Sequence, residues 1–300
     1  MTHKIEIHFL GTGSHMPTAK RNHTGILLSY ANENILIDCG EGIQRQLKIA
    51  KLNPCRITRI LITHWHGDHV LGLPGLLETL AMSNYTKKLL ICGPAKIKEK
   101  FALLEKLYGE FRINHELKEV SSGKFINEKD FFIGAMPMSH GVPSYAYTFV
   151  VKDKRRLKKD KIKKYHLPNS PILQKLQKGQ DIIYKGRKIK ASSITYLEKG
   201  KKITIIMDTA FNKNTIKLAK NSDLLICESS FYSQESDRAI KYKHLTSKQA
   251  AEIAKEAKVK ELILTHFSRR YKDTKPLEEE ARKVFKNTKA AYDFMKVKLK

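Results

Sequence analysis

A chain of 300 residues, 41% apolar and 29% charged, can bury one good-sized core, and its apolar runs are strand-sized, too short to span a bilayer. The formal net charge of +27 sets up a field that attracts polyanions and speeds their encounter, which favours a nucleic-acid partner over a merely solvated lysine-rich surface. Cys39, Cys55, Cys92 and Cys227 are scattered without a CxxC pair, so neither a disulfide framework nor a thiolate zinc site is expected. Reduced thiols in a cytoplasmic chain follow. The N-terminus lacks a basic region followed by an apolar one, so no secretory signal is expected.

In chain order, IEIHFL, TGILLSY and ENILIDCG read as strands joined by tight turns, and EGIQRQLKIAK at 41–51 has helical spacing. ITRILITH is a short apolar strand that runs into a polar turn. LPGLLETLAM reads as a helix, KLLICG as a strand and AKIKEKFALLEKLYGE as a helix. Residues 111–150 look β-rich. Residues 152–188 break the pattern: nine Lys or Arg fall between Lys152 and Lys164 against two Asp, and Pro168 and Pro171 lie close together. That stretch has little apolar periodicity, packs poorly as core and is the one candidate for a projecting insertion. KKITIIMD, DLLICESSF and KELILTHFS are three further strands, SKQAAEIAKEAK is an amphipathic helix, and the chain from Pro276 reads as helical. Strands in both halves with helices between and outside them predict an α/β (α+β) fold, an αββα sandwich formed by a single domain over 1–300.

The strongest chemical signal is Thr63-His64-Trp65-His66-Gly67-Asp68-His69, directly after a strand. In a turn at a strand end, His64 and His66 can reach one metal while Asp68 and His69 point to another. Imidazole and carboxylate are suitable donors for zinc, and three His with one Asp at this spacing rarely occur by chance. A two-metal site needs further ligands from distant strand ends. His140, Asp208 and His266 each follow an apolar strand, and an Asp between two metals can bridge them.

HxHxDH followed by a late His, Asp and His resembles the metallo-β-lactamase superfamily. Pro17 to Asn22 (PTAKRN), Asp38 to Gly42, the run from His69 to Leu76, His140 to Tyr145, Lys243 to Thr246 and Leu264 to Ser268 narrow the resemblance to ribonuclease Z, the tRNA 3′-processing endonucleases. The order matches along nearly the whole chain.

The resemblance implies two Zn2+ per subunit: His64, His66 and His140 hold one, Asp68, His69 and His266 the other, and Asp208 bridges. It implies that Asp68 orients the attacking water or takes its proton, and that His244 acts as general acid or charge stabiliser. From the residues alone, His244 reads rather as a solvated side chain at a helix start, and only the resemblance reverses that preference. Glu228 could orient His244, although CESS departs from the family's pattern there. Asp38 could orient a ligand histidine or serve the turn. The resemblance further implies that Lys20 and Arg21 guide the RNA 3′ end, two residues that otherwise read as a solvated turn. It makes 152–188 a flexible arm that grips the tRNA through Lys154, Arg155, Arg156, Lys158 and Lys159. It also implies precursor tRNA as partner and a homodimer, without membrane or nucleotide cofactor. Asn169-Ser170-Pro171 replaces the arm's usual Gly-Pro element, and Met207 stands where Gly is frequent. Two rivals remain from the residues: another hydrolase of the superfamily, and a metal-stabilised RNA-binding protein without catalysis.

Overall fold

The computed structural model describes residues 4–299. The first half runs β1 (Ile5–Gly11), β2 (Gly25–Tyr30), β3 (Glu33–Ile37), α1 (Ile43–Ile49), β4 (Arg59–Leu61), α2 (Gly67–Val70), α3 (Leu73–Met82), β5 (Leu89–Gly93), α4 (Ile97–Tyr108) and β6 (His115–Glu119). Then follow β7 (Gly123–Asn127), β8 (Phe131–Met138) and β9 (Ser144–Val151). A basic module comes next, with β10 (Lys154–Leu157), α5 (Lys159–Lys164), α6 (Pro171–Gln177), β11 (Ile182–Tyr184), β12 (Arg187–Ile189), α7 (Ala191–Ile194) and β13 (Thr195–Glu198). The last part holds β14 (Lys202–Ile206), α8 (Lys213–Ala219), β15 (Leu224–Glu228), α9 (Ser236–Tyr242), α10 (Ser247–Glu256), β16 (Leu262–Thr265), α11 (Lys275–Val284), β17 (Thr288–Ala290) and β18 (Lys296–Leu299).

Two seven-stranded sheets result, ordered β18-β1-β2-β3-β4-β5-β6 and β17-β16-β15-β14-β9-β8-β7. Their central strands are apolar on both faces because each sheet is covered on both. In β15, Leu224 and Ile226 face the layer between the sheets, while Leu225 and Cys227 face the outer helices. In β3, Ile35 and Ile37 face inward and Leu36 outward. Side chains alternate across a strand, so a continuous apolar run serves two cores at once. Helices α1, α3 and α4 pack on the first sheet, and α8, α10 and α11 on the second. This is the expected sandwich. Helix α10 starts with a capping box, in which the Thr246 side chain accepts from the Gln249 amide and Gln249 reciprocates. Among the described residues no helix is long and apolar enough to cross a membrane.

The C-terminus differs from expectation. The helix starting near Pro276 ends at Val284, and two strands follow, one closing each sheet. Residues 296–299 (KVKL) alternate between exposed and half-buried positions, with Val297 and Leu299 against the inter-sheet core. That period of two was the available signal. Between these strands sits Asp293, which accepts from the Thr12 amide at 3.0 Å, the Thr12 hydroxyl at 2.7 Å and the Asn22 amide at 2.7 Å. It pins the long loop that follows β1.

The basic segment also differs from the sequence picture. It carries its own small core of Leu167, Leu176, Ile182, Ile189, Ala191 and Ile194. Its elements are helices of one or two turns and strands of three or four residues, too short to display a period. The β10–β13 ribbon extends the unit to Glu198, ten residues beyond 188. Its root is a hairpin: β9 and β14 are antiparallel neighbours, with Val150 opposite Lys202 and the Val151 amide donating to the Lys201 carbonyl at 2.8 Å. Replacing residues 152–200 with Asn-Gly, which suits a two-residue hairpin loop, is expected to leave the sandwich folded. Its far-UV circular dichroism should keep a single cooperative melt. A broad, non-cooperative transition would show that the module is part of the main core.

Candidate metal centre

The strands that matter end at one pole. The carboxyl ends of β3, β4, β8, β14, β15 and β16 lead directly into Asp38, the 63–69 turn, His140, Asp208, Glu228 and His266. Ligand sites in α/β sheets gather at such carboxyl ends. Two glycines let the loops close up: a Cβ at Gly40 would strike the Asp68 carbonyl, and one at Gly72 would strike the Gly40 carbonyl. Asp38 and His266 both hold left-handed backbone conformations, φ 58° and 59°, which non-glycine residues adopt at a cost and which cluster at functional sites. Ties between the sheets fix the pole: the Tyr147 hydroxyl donates to the Ile62 carbonyl at 2.5 Å, and the Tyr145 amide to the Thr63 carbonyl at 3.0 Å.

Seven side chains expected as ligands meet there in two sets that share Asp208. In the first set, His64 Nε2 lies 3.0 Å from His66 Nδ1, which lies 3.2 Å from His140 Nε2. Asp208 Oδ2 is 3.6 Å from His64 Nε2 and 3.8 Å from His140 Nε2. In the second set, His69 Nε2 lies 3.4 Å from Asp68 Oδ2 and 3.5 Å from Asp208 Oδ1. His266 Nε2 is 3.5 Å from Asp68 Oδ2 and 3.1 Å from Asp208 Oδ1. Four donors at zinc-bond lengths around a tetrahedron stand about 3.3–3.4 Å apart, so both sets have the spacing of a metal's coordination shell. Among the described residues, His69 Nε2, His266 Nε2 and Asp208 Oδ1 are buried without a hydrogen-bond partner. Buried polar atoms are rarely left so, and a cation between them would satisfy all three.

In four of the five histidines the other ring nitrogen is occupied, which leaves the inward nitrogen to face the centre. His69 Nδ1 is 2.7 Å from Asp38 Oδ2, His64 Nδ1 is 3.1 Å from the Thr63 hydroxyl, His140 Nδ1 is 3.1 Å from the Lys243 carbonyl and His266 Nδ1 is 3.0 Å from the Ser230 hydroxyl. Asp38 also accepts from the Thr63 amide at 2.7 Å and the Thr63 hydroxyl at 2.8 Å. Asp38 thus holds the 63–69 turn and contacts a histidine of the second set at once. Such partners orient a ligand ring and select its tautomer.

Electrostatics follow the layout. Burial, aided by neighbouring imidazoles, pushes His64, His66 and His140 below the ordinary histidine range, which favours neutral rings with lone pairs to donate. Burial also opposes charge on His69, yet Asp208 and Asp38 together hold it well above that range. Asp68 and Asp208 lie below the usual carboxylate range despite burial, held there by His266 and His69.

Beside this centre, His244 Nδ1 lies 3.1 Å from both oxygens of the buried Glu228. Burial opposes its proton, but Glu228 and Asp208 raise it to about 9. Ser230, missed in the sequence, donates to Glu228 Oε2 at 2.7 Å and so joins His244's partner to His266's. An open cavity of about 570 Å3 exposes the centre, with His15, Met16, Phe231, Tyr242, Arg269 and Arg270 on its walls. His15 was also missed; its exposed ring places Nδ1 3.4 Å from Asp68 Oδ1. For Arg269 and Arg270 the signal was present, two cations directly after the strand-end histidine of LTHFS.

The expected RNA contacts divide. Lys20 is exposed on the loop after β1. Arg21 is not available to RNA. It is 8% exposed, and its guanidinium donates to the Tyr271 carbonyl at 2.5 Å and the Ser268 carbonyl at 3.3 Å, so it staples the first loop to the last. In the module, Lys154 pairs with Asp130 at 3.1 Å, Arg156 with Glu198 at 2.7 Å, and Arg155 donates to the Thr195 hydroxyl at 3.0 Å. These three are committed to the module's root. Lys158 is half-buried as α5 begins, and Lys159 is exposed, as are Lys163, Lys164, Lys175 and Lys178.

A family model described as Anti-Pycsar protein Apyc1 matches residues 5–290. Ribonuclease Z of Archaeoglobus fulgidus is 37% identical over 301 residues, covering 98% of this chain and 98% of that one. Among solved structures, human tRNase Z, short form, is 26% identical with a TM-score of 0.71, covering 97% of this chain and 98% of that one. The metallo-β-lactamase fold protein YhfI of Bacillus subtilis superposes with a TM-score of 0.74 at 19% identity, covering 99% and 100%, and shares the fold.

The Asp38 bond carries a direct test. Asp38→Asn keeps the shape but removes the charge that orients His69. Metal affinity, measured by titration of the metal-free protein, is expected to fall about 10- to 100-fold. An unchanged affinity would reduce Asp38 to a turn residue.

Proposed function

The chain belongs to the ribonuclease Z family, and to the family described as Anti-Pycsar protein Apyc1; on that premise we propose that it is a metal-dependent endoribonuclease that removes 3′ trailers from precursor tRNA. Near-full-length relatives favour this reading over the second family name. The observation that carries the chemistry is the shared Asp208, which divides its two oxygens between two histidine sets beside His244.

Zinc ions bound by His64, His66, His140 and Asp208, and by Asp68, His69, His266 and Asp208, would supply a water nucleophile at neutral pH and offset phosphoryl charge. The residues do the rest. Asp68 turns Oδ2 to His69 and His266, which leaves Oδ1 toward the cavity to orient the attacking water and take its proton. His244, with Nδ1 fixed by Glu228, has Nε2 free to protonate the leaving oxygen. The water oxygen joins phosphorus, the bond from phosphorus to O3′ breaks, and the O3′ takes the His244 proton. The tRNA keeps a 3′-hydroxyl and the trailer a 5′-phosphate.

Substrate grip follows from charge. Arg269 and Arg270 line the cavity, Lys20 is exposed on the loop after β1, and the outward lysines of residues 154–198 would meet phosphates without reading sequence. The module's root supports a homodimer. Strand β9 begins at Ser144, whose hydroxyl contacts the Asp208 carbonyl at 3.4 Å, and runs eight residues to the root, about 25 Å from the candidate metal centre. An arm rooted at the far pole reaches a second copy's centre more readily than its own.

The deciding assay is cleavage of a labelled precursor tRNA with a 3′ trailer, with and without chelator. One cut after the last retained nucleotide, lost on chelation and in Asp68→Ala, is expected. The variant carrying Asn-Gly for 152–200 should bind precursor far more weakly, yet still hydrolyse a small chromogenic phosphodiester. Equal loss of both activities would give the module a structural part instead.

A second expectation concerns pH. His244 is raised to about 9, so its proton is present at neutral pH and lost as pH climbs through that value. Activity that needs the proton should fall on the alkaline side. Glu228→Gln removes the first-named source of the shift, so the alkaline limb of kcat/KM should move down by about one pH unit or more. A limb that stays in place would dissociate His244 from proton donation.

A further inference from the structure

We propose that Tyr242, backed by Phe231, is the stacking platform for the base of the last retained nucleotide, the one whose O3′ leaves. The inference rests on the reading above, in which His244 protonates that oxygen. The nucleoside bearing the leaving oxygen must then lie on the His244 side of the centre.

Tyr242 is there by construction. It ends α9, and Lys243 follows in a left-handed conformation, φ 55°, which turns the chain sharply. His244 comes next, and its amide donates back to the Ala239 carbonyl at 2.9 Å. Tyr242 and His244 therefore line the same cavity one residue apart. Tyr242 is 51% exposed, a large aromatic surface on a cavity wall that Met16 and Phe231 also line. Such exposure next to a reaction centre wants an apolar, flat occupant.

What lies behind the ring holds it in orientation. Phe231, 5% exposed, stands 6.4 Å from Tyr242 with the ring planes only 16° apart. The same Phe231 ring lies 6.0 Å from the His244 ring and 5.6 Å beneath the Arg270 guanidinium. One buried side chain thus spaces the platform, the acid and an exposed cation. Lys241 Nζ rests 5.7 Å from the Tyr242 ring and, on a flexible stem, can exchange the ring for a phosphate. A cavity of about 570 Å3 has room for one nucleotide. Every base has a π-face, so aromatic stacking is tolerant of base identity. The platform should sense whether a base is present more than which base it is.

The test compares an intact precursor with one carrying an abasic residue at the last retained position, for the wild type, Tyr242→Ala and Tyr242→Phe. With intact precursor, Tyr242→Ala is expected to lose about 5- to 100-fold in kcat/KM, and Tyr242→Phe, which keeps the ring, to recover most of it. The abasic precursor should cost the wild type a similar factor and cost Tyr242→Ala little more. Metal content and melting temperature are measured alongside, so that a misfolded variant is recognised; Tyr242→Leu then takes the place of alanine. Unchanged kinetics in Tyr242→Ala, or equal added losses on the abasic precursor in both proteins, would overturn the platform. A wild type that leaves the precursor whole would instead remove the reading beneath it, a distinct result.

Discussion

Asp208 is the constraint around which the molecule is arranged. Its two oxygens face different histidine sets, and the residue is 2% exposed, so neither oxygen has water to fall back on. A carboxylate in that position must be met by positive charge from both sides. That demand fixes the register of β14, since a one-residue slip would turn Asp208 to the other face of the sheet. It also fixes how the two sheets meet, because His64, His66, His69 and Asp68 arrive from the first sheet and His140, Asp208 and His266 from the second. The short hydrogen bond from the Tyr147 hydroxyl to the Ile62 carbonyl and the one from the Phe267 amide to the Thr12 carbonyl, 2.9 Å, hold that seam.

Charge is divided between two scales. At the pole, carboxylates and imidazoles are paired one by one through Asp38, Ser230 and Glu228, and each hydrogen bond settles which nitrogen faces inward. Over the rest of the surface, a net charge of +27 acts at a distance and asks only for a polyanion. Encounter is therefore a matter of the whole field, while the arrangement at the pole depends on a few buried donor atoms.

The centre was legible in the sequence because its ligands are of rare types and sit directly after apolar strands. HxHxDH packs four of them into one turn. The sandwich was legible because runs such as ITIIM and LLICE are apolar on both faces. Arg21 was misjudged because a cation in a polar turn looks solvated until a distant loop supplies carbonyls for it. Ser230 and His15 have no distinguishing pattern; only the folded chain brings them to His266 and Asp68. The closing strands were read as helix because they are three and four residues long. The module's core escaped notice for the same reason, since Leu167, Leu176 and Ile189 come from separate short elements.

The module hangs from a single hairpin whose two ends are one hydrogen bond apart. Its insertion therefore asks nothing of the sandwich beyond a turn between β9 and β14. Lengthening, trimming or replacing it leaves the register of Asp208 untouched. If the module grips the substrate as proposed, a lineage carrying this domain can change which large molecules it holds by insertion and deletion alone, at the far end of β9 from the metal-centre pole. Selection on grip and selection on chemistry then act on separate stretches of the gene, and each can proceed without undoing the other.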